Sequence, residues 1–83
     1  MTPAELRSAV DLALAGEWDE AHGVVQADEA DPTACWIHAV LHKIEGDAGN
    51  ARYWYRRAGR PVAAAGLDDE WRAIAAALLA KEA

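Results

Sequence analysis

His38 and His42 stand four residues apart, and Glu45 follows three residues beyond them. On a helix a four-residue step brings the chain round to within about 40° of its starting direction, so the two imidazoles project side by side. Glu45 falls on the same side of that helix. Two imidazoles and a carboxylate form a ligand set that suits a divalent ion such as zinc, and His22 can add a further nitrogen. The arrangement is not the HExxH signature of zinc hydrolases, because Ala39 occupies the place of the catalytic glutamate and Glu45 comes after the histidine pair. One reading is therefore a small metal- or ligand-binding protein built on His38, His42, Glu45 and His22. The other places both histidines in the core, hydrogen-bonded to Asn50, Tyr53 or a backbone carbonyl.

A second cluster is cationic. Arg52, Arg56, Arg57 and Arg60 lie within nine residues of a chain whose formal net charge is -6. Helical spacing aligns Arg52, Arg56 and Arg60 opposite Ala51, Tyr55 and Ala58, with Tyr53 among them. Such a stripe can receive an anion or an acidic peptide, with Tyr53 as a stacking face. It can equally pair with Asp19, Glu20 or Glu45 and offset the negative end of its own helix. One short basic stripe on an acidic chain is a poor footprint for nucleic acid, so that class of partner is excluded. Cys35 is the single cysteine and reads as a small buried hydrophobe. No glycine-rich phosphate loop and no nucleophile triad is present, and no residue is assigned a catalytic role.

These side chains need a scaffold, and the composition says which. Eighty-three residues suffice for one small domain, with 53% hydrophobic and 27% charged residues, 21 alanines, four tryptophans and no phenylalanine. Alanine favours helices and lets them approach closely. The pattern predicts an all-α fold of about five helices. Thr2-Pro3-Ala4-Glu5 opens the first as a capping box, and Leu6, Ala9, Val10, Ala13 and Leu14 form its apolar stripe up to Gly16. A second helix runs from about Trp18 to Ala30 with Trp18, Ala21, Val25 and Asp28 along one side. A third follows the Asp31-Pro32 start and reaches Glu45, and a fourth, capped by Asp47, turns Ala51, Trp54, Tyr55 and Ala58 inward. Residues 60–66 read as a loop or single turn. The last helix carries Asp68, Asp69 and Glu70 at its positive end and buries Trp71, Ile74, Ala75 and Leu78. Trp18, Trp36, Trp54 and Trp71 are 18, 18 and 17 residues apart, so each of the last four helices supplies one large ring to the core.

The chain also repeats itself. Gly16, Ala21, Val25 and Asp28 recur thirty residues later as Gly46, Ala51, Tyr55 and Ala58, and Asp31-Pro32 is echoed one residue early by Arg60-Pro61. The unit is helix, glycine turn, helix, proline. Gly16, Trp18, Ala21 and Val25 resemble the tetratricopeptide repeat (TPR) pattern of turn glycine, aromatic, small and bulky apolar residues. In the second unit Gly46, Ala51 and Tyr55 match, while Ala48 stands in the aromatic's place, and the spacing is shorter than the family's repeat of about 34 residues. Residues 36–59, WIHAVLHKIEGDAGNARYWYRRAG, are similar to the core of a group of TPR-like proteins without an assigned activity. The resemblance covers about residues 4–61.

It implies a single domain over residues 1–83: two antiparallel helical hairpins, about residues 4–31 and 32–61, with a capping helix at about 68–82. In its register His38 and His42 take places that face the partner helix. The function that follows is a non-enzymatic module binding a protein or peptide, another copy of itself included, with no cofactor. The first residues lack the basic start and apolar stretch of a signal peptide, and the apolar run Ala73 to Ala80 is far short of the roughly 20 residues that span a bilayer. The expected location is the cytoplasm, away from membranes.

Overall fold

A computed structural model describes residues 1–63 and 66–82; Glu82 is described in its backbone alone. Five helices account for its regular structure: α1 (Pro3–Leu14), α2 (Trp18–Gln26), α3 (Pro32–Ile44), α4 (Ala48–Arg57) and α5 (Leu67–Glu82). The fold is all-α. No helix among the described residues is long and apolar enough to cross a membrane.

The helix starts follow the local chemistry. The Thr2 hydroxyl accepts from the Glu5 amide while the Glu5 carboxylate accepts from the Thr2 amide, which closes the capping box. Asp31 accepts from the amides of Thr33 and Ala34, and Asp47 from that of Asn50. α2 is shorter than its periodicity suggests, ending at Gln26 rather than near Ala30. Asp28 leaves the expected stripe because its carboxylate accepts from the Met1 ammonium at 2.6 Å.

Gly16 and Gly46 hold φ of 82° and 80°, the left-handed conformation that reverses the chain between α1 and α2 and between α3 and α4. Thirty residues separate these two turns, and the residues five and nine places after each turn pack inward. Ala21 and Val25 are buried in the first hairpin, Ala51 and Tyr55 in the second. α3 is the central element. Every residue from Thr33 to Leu41 is buried on it, because α2, α4, α5 and α1 all lie against it.

α5 does not stack on the end of the second hairpin. It lies against α1 and α3, the first helices of both hairpins, and α4 reaches it through the Tyr55 hydroxyl. Trp71, Ile74 and Leu78 form its buried stripe, joined by Glu70. Ala75 is exposed, as is Leu14 at 59%, because both face outward where nothing covers α1 and α5. Trp36, Trp54 and Trp71 are core rings, but Trp18 is 45% exposed. It is the first residue of α2, at the open end of a hairpin where only the turn precedes it. The core therefore receives three tryptophans, not four.

Candidate functional sites

The three histidines meet. His22 comes from α2, on the face that also carries buried Val25, while His38 and His42 are successive turns of α3. One ring nitrogen from each falls within a group whose members are all within 4.8 Å of one another. Nε2 of His22 is 2.6 Å from Nε2 of His38, so one nitrogen carries a proton and the other accepts it. The rings of His38 and His42 lie nearly parallel with centroids 5.0 Å apart, and His22 stands perpendicular to both. On its other side His38 stacks on Trp54, with centroids 3.8 Å apart and 14° between the planes. That contact fixes the plane of His38 and ties the cluster to α4.

The electrostatics follow from burial. His38, 3% exposed, has its pKa lowered to about 3, chiefly because burial disfavours the cation, with His22 and His42 adding to the effect. His22 is also shifted down, again by burial first and then by His42. Glu45 is the nearest carboxylate: its oxygens lie 3.8 Å from Nδ1 of His22 and 3.4 Å from Nδ1 of His42. Asp47 stands 4.0 Å from the same nitrogen of His42. Even so, the buried Nδ1 of His42 has no hydrogen-bond partner among the described residues.

Asn50 and Tyr53, the partners expected for core histidines, are engaged elsewhere. The Asn50 amide group donates to Asp47 at 2.6 Å, and the Tyr53 hydroxyl accepts from Arg57. The polar partner of His38 is another histidine, supplied by the neighbouring hairpin.

The arginines do not form one stripe. α4 ends at Arg57, and Gly59, at φ 73°, redirects the chain so that Arg60 lies across the Trp36 ring, its guanidinium carbon 3.5 Å from the centroid. Arg57 donates to the Glu29 carbonyl at 3.0 Å and lies over Tyr53 and Trp54 at 5.9 and 5.4 Å. Two of the four cations are thus held on aromatic faces, while Arg52 and Arg56 are exposed. None of the four reaches Asp19, Glu20 or Glu45 within ion-pair distance among the described residues.

A buried polar network was hidden from the motif reading. Glu70, 3% exposed, accepts from the Trp36 indole at 3.1 Å, from Lys43 Nζ at 3.0 Å and from the Tyr55 hydroxyl. Burial first, and then donation to Glu70, pushes the Tyr55 phenol well above the ordinary tyrosine range. The signal was the spacing: Glu70, Ile74 and Leu78 repeat every four residues, and Lys43 follows Trp36 by seven. Cys35 is buried with its thiol donating to the Glu29 carbonyl, and burial raises its pKa, which suits a core role.

An apolar concave surface lies between the first and last helices. Between α1 and α5 runs a groove of about 420 Å³, floored by Val10, Leu14, Trp71, Ala75, Leu78 and Leu79. Arg7 and Asp11 border it from α1, Asp68 and Arg72 from α5. Comparison with protein-family models, with curated proteins and with solved structures finds no match to this chain.

Proposed function

We propose that this chain is a non-enzymatic, TPR-like protein-interaction module that pairs with a second copy of itself through the groove between α1 and α5. The groove carries this reading. Its α1 wall follows the steps Arg7, Val10, Asp11, Leu14, and its α5 wall Asp68, Trp71, Arg72, Ala75, Leu78, Leu79. Each is a single helical stripe, so a further helix laid between them completes the packing. Leu14 and Leu79 are 59% and 61% exposed at this surface, an apolar area that a partner would cover.

Charge favours a second copy. The chain carries -6, which opposes self-association in general, yet the groove's border holds two arginines and two aspartates and is neutral. Each helix contributes one residue of each sign, so a two-fold arrangement can set Arg7 or Arg72 against Asp68 or Asp11 of the other copy. The TPR-like description is supported by the thirty-residue recurrence of left-handed glycine, buried alanine and buried bulky residue. α5 lies where the first helices of both hairpins would otherwise face outward, which leaves its own outer stripe as the surface for a partner.

Sedimentation equilibrium or light scattering over a range of concentrations tests the reading. A dimer that Leu79→Glu and Leu14→Glu convert to a monomer with unchanged helical circular dichroism is the expected result. A wild-type chain that stays monomeric at the highest concentrations would refute pairing between copies.

A further inference from the structure

We propose that His22, His38 and His42 form a binding site for a divalent transition metal, zinc foremost, that fastens the first hairpin to the second, with Glu45 orienting His22 and His42 from behind. Three imidazoles are a ligand set for zinc, nickel, cobalt or copper and a poor one for calcium or magnesium, which take oxygen ligands. The rings come from two different helices and converge without help from the solvent, His38 being 3% exposed.

Two features set the cluster apart from core histidines that satisfy one another. First, three rings share one hydrogen bond, that between His22 and His38, and Nδ1 of His42 is buried with no hydrogen bond, its nearest carboxylate oxygen being that of Glu45 at 3.4 Å. Buried polar atoms are nearly always hydrogen-bonded, so three converging imidazoles with a single hydrogen bond among them point to a ligand. Second, the distances suit an ion after small side-chain adjustments. Zinc holds nitrogen ligands at about 2.0–2.1 Å, which in a tetrahedral site sets them about 3.3 Å apart. The Nε2 atoms of His22 and His38 stand at 2.6 Å and the whole set lies within 4.8 Å, so the required separation falls inside that range.

The carboxylate supports this assignment. His22 turns Nε2 towards His38 and Nδ1 towards Glu45. At 3.8 Å a carboxylate on the Nδ1 side favours the proton there and Nε2 as the ligating atom, as outer carboxylates commonly do at histidine–metal centres. Trp54 stacked on His38 performs the same orienting task from α4. Glu45, which also lies 3.4 Å from Nδ1 of His42, is therefore a positioning residue for His22 and His42, and not one of the first three ligands.

The test uses the full chain, stripped of metal and titrated with zinc chloride by calorimetry, with melting followed by circular dichroism. One zinc per chain is expected, with a rise in Tm of roughly 10 °C or more when free zinc is 100 times Kd. Glu45→Gln weakens binding by about 10- to 100-fold, and His22→Gln or His42→Gln weakens it further. His38 packs on Trp54 and its removal can unfold the protein, so the unaltered chain supplies a second readout: zinc shifts the imidazole nitrogen resonances of all three histidines together. Absence of binding by the unaltered chain, or affinity unchanged in His22→Gln, would overturn the site. Affinity unchanged in Glu45→Gln would overturn the role given to Glu45.

Discussion

Replacing Glu70 by alanine is the sharpest available test of how this fold is held. The carboxylate accepts from the Trp36 indole, the Tyr55 hydroxyl and the Lys43 ammonium, and it is only 3% exposed. Glu70→Ala leaves an indole N–H and a phenol O–H facing an apolar gap, each costing on the order of 1–3 kcal/mol when unpaired. Lys43 retains the Ala63 carbonyl at 3.0 Å, and its side chain is 28% exposed, so its share is smaller than for a fully buried ion. The loss is then about 3–4 kcal/mol, at the lower end of what breaking a buried ion pair costs. A domain of this length has roughly 4–12 kcal/mol in total, so a large part of the stability is at stake. Thermal melts should show Tm falling by about 15 °C or more. Glu70→Gln preserves the volume and an acceptor for Tyr55 and Trp36, so its loss should be about half as great. A fall of less than about 5 °C in Glu70→Ala would refute the view that α5 is anchored by this carboxylate.

The same network predicts alkaline behaviour. The unfolded Tyr55 phenol ionises near pH 10, whereas the folded one has its pKa raised by burial and by Glu70. The folded state thus keeps a proton that the unfolded state releases, so the contribution of Tyr55 is full below about pH 10 and is lost above it; Tyr55→Phe should remove that part of the alkaline fall in Tm. Gly16→Ala and Gly46→Ala meet no atom within 4 Å but force a left-handed alanine, and each should cost about 1 kcal/mol in denaturant melts. Gly23→Ala, in the interior of α2 with open space around it, should instead stabilise by about 0.5–1 kcal/mol. Ala21→Leu puts a large side chain at a position with no exposure between packed helices and should cost about 1–3 kcal/mol, read by the same melts.

Local chemistry made the helices legible. Thr2, Asp31 and Asp47 cap where their side chains suggest, and Gly16 and Gly46 turn where a left-handed residue is needed, because these effects act within a few residues. The nearness of His38 to His42 follows from helical geometry in the same way. What periodicity could not convey was which stripes find cover. Leu14 and Ala75 have the spacing of core residues yet stay exposed, since their burial depends on how α5 crosses α1, while Trp18 stays exposed at the open start of α2. Glu70 is the converse case: as one of three acids at a helix start it looks like a response to the helix dipole, and only the meeting of α3, α4 and α5 makes it a buried acceptor. Arg60 leaves the arginine stripe because it lies beyond the end of α4 and Gly59 redirects the chain.

The path of α5 also bears on the order in which the chain assembles. Each hairpin is closed by partners a short way along the chain, whereas α5 is fastened by Glu70 to Trp36 and by Lys81 to Thr33, across 34 and 48 residues. Contacts of long sequence separation carry the larger closure entropy and are won late. The hairpins should form first, with α5 docking over both as the final step. In the folded protein the reverse excursion, release of α5 alone, is the lowest route to partial opening. It would bare Trp36 and the inner sides of α1 and α3 together, so amide exchange should run faster along α5 than along α3.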